Sequence, residues 1–120
     1  GDLHPMPALQ WFESPETNLA GTQAGLAMNY LVDPRRPLVV LSPGSPETKV
    51  SGRGTPWLVD QGLDLATALR EAAAAVGGEG GGHKVASGAT IPTAARETFL
   101  SDLNARVARQ IPRLVGEVAA

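Results

Sequence analysis

"DLATALREAAAAVGGEGGGHKVASGATI", residues 64–91, runs a helical pattern into a strand pattern through a cluster of glycines. Leu65, Leu69, Ala72, Ala73 and Val76 recur on one face at helical spacing. Asp64 stands at the N-cap position and Gly77 supplies the C′ stop. Lys84 to Ile91 reads as a buried strand of small residues, ended by Pro92. Residues 77–82 between them hold five glycines and read as a loop. Glycine inside a regular element costs roughly 0.5–1 kcal/mol relative to alanine, because it has more backbone freedom to lose. Such a cluster is expected where the chain is unstructured, or where the backbone bends sharply and something comes close to it. A helix C-cap followed by a turn accounts for Gly77 and Gly78. It does not account for Gly80, Gly81 and Gly82 running directly into His83 and Lys84.

Outward from this segment the pattern keeps alternating. "ALQWFES" (8–14) is strand-like and bounded by prolines. Leu19, Gln23, Leu26, Ala27, Tyr30 and Leu31 then recur at helical spacing, with Pro34 as terminator. "RPLVVLSP" (36–43) is a short continuous apolar run, the mark of a buried strand, and "PGSPE" is a turn. "TKVSGRG" (48–54) alternates as a strand. After Pro92, Thr93 is a candidate cap for a final helix bearing Phe99, Leu100, Leu103, Val107, Ile111 and Leu114, which Pro112 kinks or shortens. The order is β-α-β-β-α-β-α. It predicts an α/β (α+β) domain: a mixed sheet of about four strands with two helices packed on it and the C-terminal helix closing an edge or face.

Residues 1–120 suffice for one domain with a real core. The chain is 42% hydrophobic and 18% charged, a globular composition, and its net charge of −2 excludes a broad basic footprint for nucleic acid. Any such contact must be local. The absence of cysteine rules out disulfides and thiolate metal sites and suits a reducing cytoplasm. No apolar run approaches the ~20 residues of a membrane span, so no membrane partner is expected. The opening Gly1-Asp2 suggests a piece of a larger polypeptide.

Neither common phosphate motif is present. A Walker loop ends in Gly-Lys-Ser/Thr, whereas Gly82 is followed by His83, Lys84 and Val85. A dinucleotide fingerprint needs glycine where His83 stands. Both motifs also open a helix, while this segment follows one and meets its negative end. A phosphate here must be held by a nest of backbone N–H groups and by side-chain cations. Glu79 counts against an anion unless it points away. In "KVSGRG", Lys49, Ser51 and Arg53 alternate, so a strand displays a cation, a hydroxyl and a bidentate donor on one face. Alone, that pattern is better explained by a solvated strand face.

Together, "KVSGRG", an intervening helix and "GGGHKVASGA" resemble the DHH-associated domain of type 1, which lies C-terminal to the DHH phosphoesterase domain. The resemblance extends through "GTQAGLAMNYL", "PLVVLS" and "FLSDLNARV", and so over nearly the whole chain. It is strongest toward RecJ-like single-strand exonucleases, above all the archaeal type, and weaker toward the alanyl-tRNA synthetase branch, whose loop does not usually carry this histidine.

The resemblance implies a substrate-binding domain whose contacts fall on Ser51, Arg53, Gly81, Gly82 and His83, with Ser87 beside them. Lys49, Gly80 and Lys84 complete the candidate set. The glycines would let a phosphate approach the main chain, while Arg53 and His83, brought together over one solvent-facing cleft, donate to its oxygens. The implied partners are a single-stranded nucleic-acid end or oligonucleotide, an N-terminal DHH catalytic domain, and replication or repair proteins. Mn²⁺ or Mg²⁺ is implied for the DHH half. This chain has no DHH triplet, and its aspartates and histidines stand singly, so by itself it is expected to be inert as a nuclease. Two other readings stay open: a domain of a short-oligonucleotide or cyclic-dinucleotide phosphodiesterase, and a non-catalytic interaction module.

Overall fold

The computed structural model describes residues 2–14 and 32–119; the helix expected between Leu19 and Leu31 lies outside them. Among the described residues, six strands form one mixed sheet in the order β1-β2-β3-β4-β6-β5. They are β1 (His4–Pro5), β2 (Gln10–Glu13), β3 (Leu38–Ser42), β4 (Glu47–Arg53), β5 (Glu79–Gly82) and β6 (Ala86–Pro92). β2 and β3 pair in parallel, and the other neighbours in this order are antiparallel. Four helices among the described residues accompany the sheet: α1 (Pro56–Asp60), α2 (Leu65–Ala75), α3 (Arg96–Gln110) and α4 (Pro112–Ala119), with a 3₁₀ turn at Thr93–Ala95.

β3 is central and buried on both faces, as its unbroken apolar run implies; Leu38, Val39, Val40 and Leu41 have no exposure. On one face α2 lies across β4, β5 and β6 and packs against α3. Small residues on those strands let it come close. A methyl group at Gly52 would meet Leu69 Cδ1 at 2.9 Å, and one at Gly80 would meet the Leu69 carbonyl at 3.0 Å. Leu65, Leu69, Phe99, Leu103 and Ile91 fill the space between helices and sheet. Each such side chain contributes roughly 1.5–3 kcal/mol by leaving water. α3 is tied to the β2 end of the sheet: Asn104 Oδ1 accepts from the Ala8 N–H at 2.8 Å, and Arg96 pairs with Glu13.

The expected helix over 65–76 forms with its caps. Asp64 Oδ1 accepts from the Thr67 N–H at 3.1 Å, and Gly77 has φ +81°. Gln110 adds a clamp, its amide bonding both the N–H and the carbonyl of Asp64.

Three expectations are corrected. The sheet has six strands among the described residues rather than about four, because β1 and β5 add an edge on each side. Residues 79–82 form β5, not a loop: hydrogen bonding to β6 and close packing under α2 outweigh the poor strand preference of glycine. Thr93 does not cap α3. Its hydroxyl donates to the Gly44 carbonyl at 2.6 Å and lies 2.9 Å from the Thr48 hydroxyl, while Ala95 holds the N-cap position with no side-chain bond. The interruption expected at Pro112 is present: α3 ends at Gln110, Ile111 is its C-cap, and Pro112 begins the separate helix α4.

Candidate functional site

Where β4, β6 and β5 run side by side, residues fall into rows across the sheet. Arg53 pairs with Ala86, Ser51 with Gly88, and Lys49 with Thr90. β5 continues the second and third rows, with Gly81 opposite Gly88 and Glu79 opposite Thr90. His83 continues the first: its N–H donates to the Ala86 carbonyl at 2.8 Å and its carbonyl accepts from the Ala86 N–H at 3.3 Å. Side chains directly opposed across antiparallel strands leave the same face. These three rows alternate with the row of Gly52, which is turned toward α2, so they occupy the face away from that helix.

The first row, Arg53–Ala86–His83, carries the cations. Arg53 and His83 are two strands apart, about 10 Å between Cα atoms at normal strand spacing, with only the methyl of Ala86 between them. Arg53 Nε is buried and has no hydrogen-bond partner, and no ion pair engages the guanidinium among the described residues. An unsatisfied buried donor costs about 1–3 kcal/mol, so the protein holds this group at a penalty in the absence of an acceptor.

The second row, Ser51–Gly88–Gly81, is a floor with almost no side chains. Gly81 does not have a positive φ, and a methyl group built on it would have nothing within 4 Å. Neither its conformation nor its packing demands glycine, which leaves the space above it open to something from outside. The third row, Lys49–Thr90–Glu79, stands up from the sheet as a polar wall, with Lys49 Nζ donating to Thr90 Oγ1 at 3.0 Å. Against this wall lies a shallow, open hollow of about 510 Å³, lined by Lys49, Ser51, Glu79, Gly80, Gly88 and Thr90 but not by Gly81.

The other candidates have different tasks. Gly80 lies on the α2 side, where it permits close packing. Gly82, with φ +143°, shapes the end of β5 in a conformation that L side chains rarely adopt. Ser87 pairs with Gly52 and Gly82, in the row turned toward α2, and its hydroxyl donates to the Gly81 carbonyl at 2.6 Å. It braces the floor from behind.

Lys84 occupies the turn after His83. Its carbonyl accepts from the Leu65 N–H at 3.0 Å, and its charge helps to hold the Asp64 carboxyl below its usual range. The largest cause of that lowering is the Thr67 N–H; the Thr67 hydroxyl and Arg70 add to it, while burial opposes it.

The expected nest of N–H groups does not form over the floor. The His83–Ala86 pair exchanges both backbone bonds, so in the alternating antiparallel pattern Gly81 also bonds Gly88. The N–H groups of Gly80 and Gly82 therefore point to the outer edge of β5, and side-chain cations are left to meet an anion on this face.

Sequence reasoning missed Thr90 and Gly88 and set Glu79 aside. Their membership follows from register alone, once β5 is known to be a strand. Among the described residues no three His, Asp or Glu side chains are grouped to hold a metal ion. The Mn²⁺ or Mg²⁺ of a DHH phosphoesterase thus has no donor set here, and no step of its chemistry can be assigned to these residues. No helix among them is long and apolar enough to cross a membrane.

The geometry can be set beside known proteins. The chain is 35% identical over 89 residues to an uncharacterized protein of Methanocaldococcus jannaschii, covering 74% of this chain and 20% of that protein. It therefore spans a fifth of that relative's length. The C-Ala domain of Aquifex aeolicus alanyl-tRNA synthetase has a similar fold, with TM-score 0.65 and 12% identity over 87% of this chain and 98% of that one. RecJ from Thermus thermophilus, solved with Mn²⁺, also shares the fold, with TM-score 0.59 and 24% identity over 86% of this chain and 14% of that one. Residues 15–109, which include all three rows, match the DHHA1 domain, and the chain belongs to that family.

Proposed function

We propose that the face bearing Arg53, Gly81 and His83 binds the phosphate of a single-stranded nucleic-acid end. In this reading the domain presents that end to metals held by an N-terminal DHH domain of a RecJ-like phosphoesterase in the cytoplasm. The observation that carries the reading is the Arg53 guanidinium, whose buried Nε lacks an acceptor, beside a glycine floor that the protein itself leaves empty. A phosphate oxygen there would meet the terminal N–H groups of that guanidinium, which no described side chain engages, through charge-assisted hydrogen bonds. His83 would donate from the other end of the row, and the missing side chains of the floor would let the sugar-phosphate chain lie against the sheet. In this reading the domain supplies cations and a surface, and the metal-assisted hydrolysis falls to the DHH domain; that no three His, Asp or Glu side chains are grouped to hold an ion among the described residues supports it.

A second reading, a domain acting on short oligonucleotides, is favoured by the hollow, whose polar wall stands four residues along β4 from Arg53. That is about 13 Å, which suits one nucleotide rather than a long strand.

The test is binding of fluorescently labelled single strands and dinucleotides to the 120-residue chain and to its Arg53→Met variant. The expected loss is about 1.5–3 kcal/mol, the worth of a hydrogen bond to a charged group. The melting temperature should not fall, because the removed Nε had no partner to lose. An Arg53→Met protein that binds normally, or that unfolds, refutes the reading.

A further inference from the structure

We propose that the row Lys49–Thr90–Glu79 is a nucleobase reader selective for guanine. The inference rests on the phosphate site proposed for Arg53. With the phosphate at that row, the base lies over the Ser51–Gly88–Gly81 floor and its edge meets the third row. Rows two residues apart along a strand are separated by about 6.7 Å, so the floor is a slot about one base deep. The open hollow of about 510 Å³ lies against this wall and over the Ser51 and Gly88 part of the floor.

The chemistry of the wall is specific. Glu79 is exposed and has no hydrogen-bond or ion-pair partner among the described residues. It offers two carboxylate oxygens as acceptors. Lys49 uses one N–H on Thr90 and keeps two donors. The complement is an edge with two neighbouring N–H donors followed by an acceptor. Guanine presents that edge: N2–H and N1–H meet the carboxylate, and O6 meets the ammonium. Adenine, cytosine and uracil each offer at most one donor group to the carboxylate. The same residues also account for a glutamate so close to a phosphate site. Glu79 lies four residues along the chain from His83, at the base end of the slot, where its charge faces N–H groups rather than phosphate oxygens.

The experiment is an NMR titration of the chain with GMP, IMP, AMP and CMP, repeated with Glu79→Gln and Arg53→Met. IMP differs from GMP only by the missing N2 amine. The unmodified chain should bind GMP about tenfold tighter than IMP or AMP, the discrimination of one good bidentate pair. Glu79→Gln should erase that preference and leave the weaker nucleotides unchanged. Arg53→Met should weaken all four alike and keep their ratios. Equal binding of GMP and IMP, or a GMP preference that survives Glu79→Gln, overturns the base reading even while Arg53→Met still weakens every nucleotide. The converse pattern, an effect of Glu79→Gln with none of Arg53→Met, removes the phosphate site and keeps the base reader. No measurable binding of GMP overturns both.

Discussion

Replacing Gly81 by alanine adds one methyl group to the middle of the floor, and its effects on stability and on binding should have opposite signs. The methyl would have no protein atom within 4 Å, and Gly81 does not have a positive φ, so the folded state gains no strain. The unfolded chain loses freedom, which stabilises the protein by about 0.4–1 kcal/mol. For a domain of this size that raises the melting temperature by roughly 2–5 °C. A ligand resting on the floor must instead rise by most of a methyl diameter. Its contact with Arg53 or His83 then stretches past hydrogen-bonding distance. Losing one charged hydrogen bond costs about 1.5–3 kcal/mol, a roughly 10- to 150-fold weaker affinity.

The neighbouring glycines are the controls. A methyl at Gly80 would press on the α2 backbone at 3.0 Å, and one at Gly82 would lie 2.8 Å from the Ala86 carbonyl at φ +143°. Both should lower the melting temperature. Thermal melts and fluorescence-polarisation titrations with a labelled single strand on the three variants give the result. If Gly81→Ala melts well below the unmodified chain, the floor is not empty. If it melts higher and binds normally, no ligand touches the floor.

Asp64→Ala should cost about 1 kcal/mol in chemical denaturation, the usual worth of an N-cap side chain. Because the folded carboxyl is held below its ordinary value, Asp64 contributes its stability in full above about pH 4 and loses it as pH falls through the lower folded value. The acid limb of the pH–stability curve should therefore be shallower in Asp64→Ala. The purified chain in excess Mn²⁺ should leave labelled single-stranded DNA and RNA intact, since no described cluster of carboxylates or imidazoles can hold the ion. Turnover that survives repurification would reveal a catalytic centre outside the described residues.

Local signals carried most of the fold. Asp64 and Gly77 mark the ends of α2 without reference to anything distant, and the apolar run of β3 could hardly be other than a buried strand. The alternation of Lys49, Ser51 and Arg53 was visible because their intervening neighbours turn toward the helices. β5 was hidden for the opposite reason. Four residues with one side chain among them show no periodicity, and only hydrogen bonding to β6 and the packing of α2 make them a strand. The site inherited that blindness. The row joining Arg53 to His83 exists only through β5 and β6, and the same register moves Ser87 to the helix side and brings Glu79 and Thr90 in. α1 did leave a readable trace in Thr55-Pro56, a capping side chain followed by proline at the first helical position.

Among the described residues β5 has no strand on its outer side, so the N–H and C=O groups of Gly80 and Gly82 face outward unpaired. An uncovered edge of this kind invites another chain to add a strand, and glycine offers no side chain to deter it. The defences present are brevity, the charge of Glu79, and the turn of the backbone at Gly82 away from a straight ladder. Self-association of concentrated protein should start along this edge. A lysine at position 81, which has open space around its Cβ, would act as a guard residue there and keep the domain dispersed.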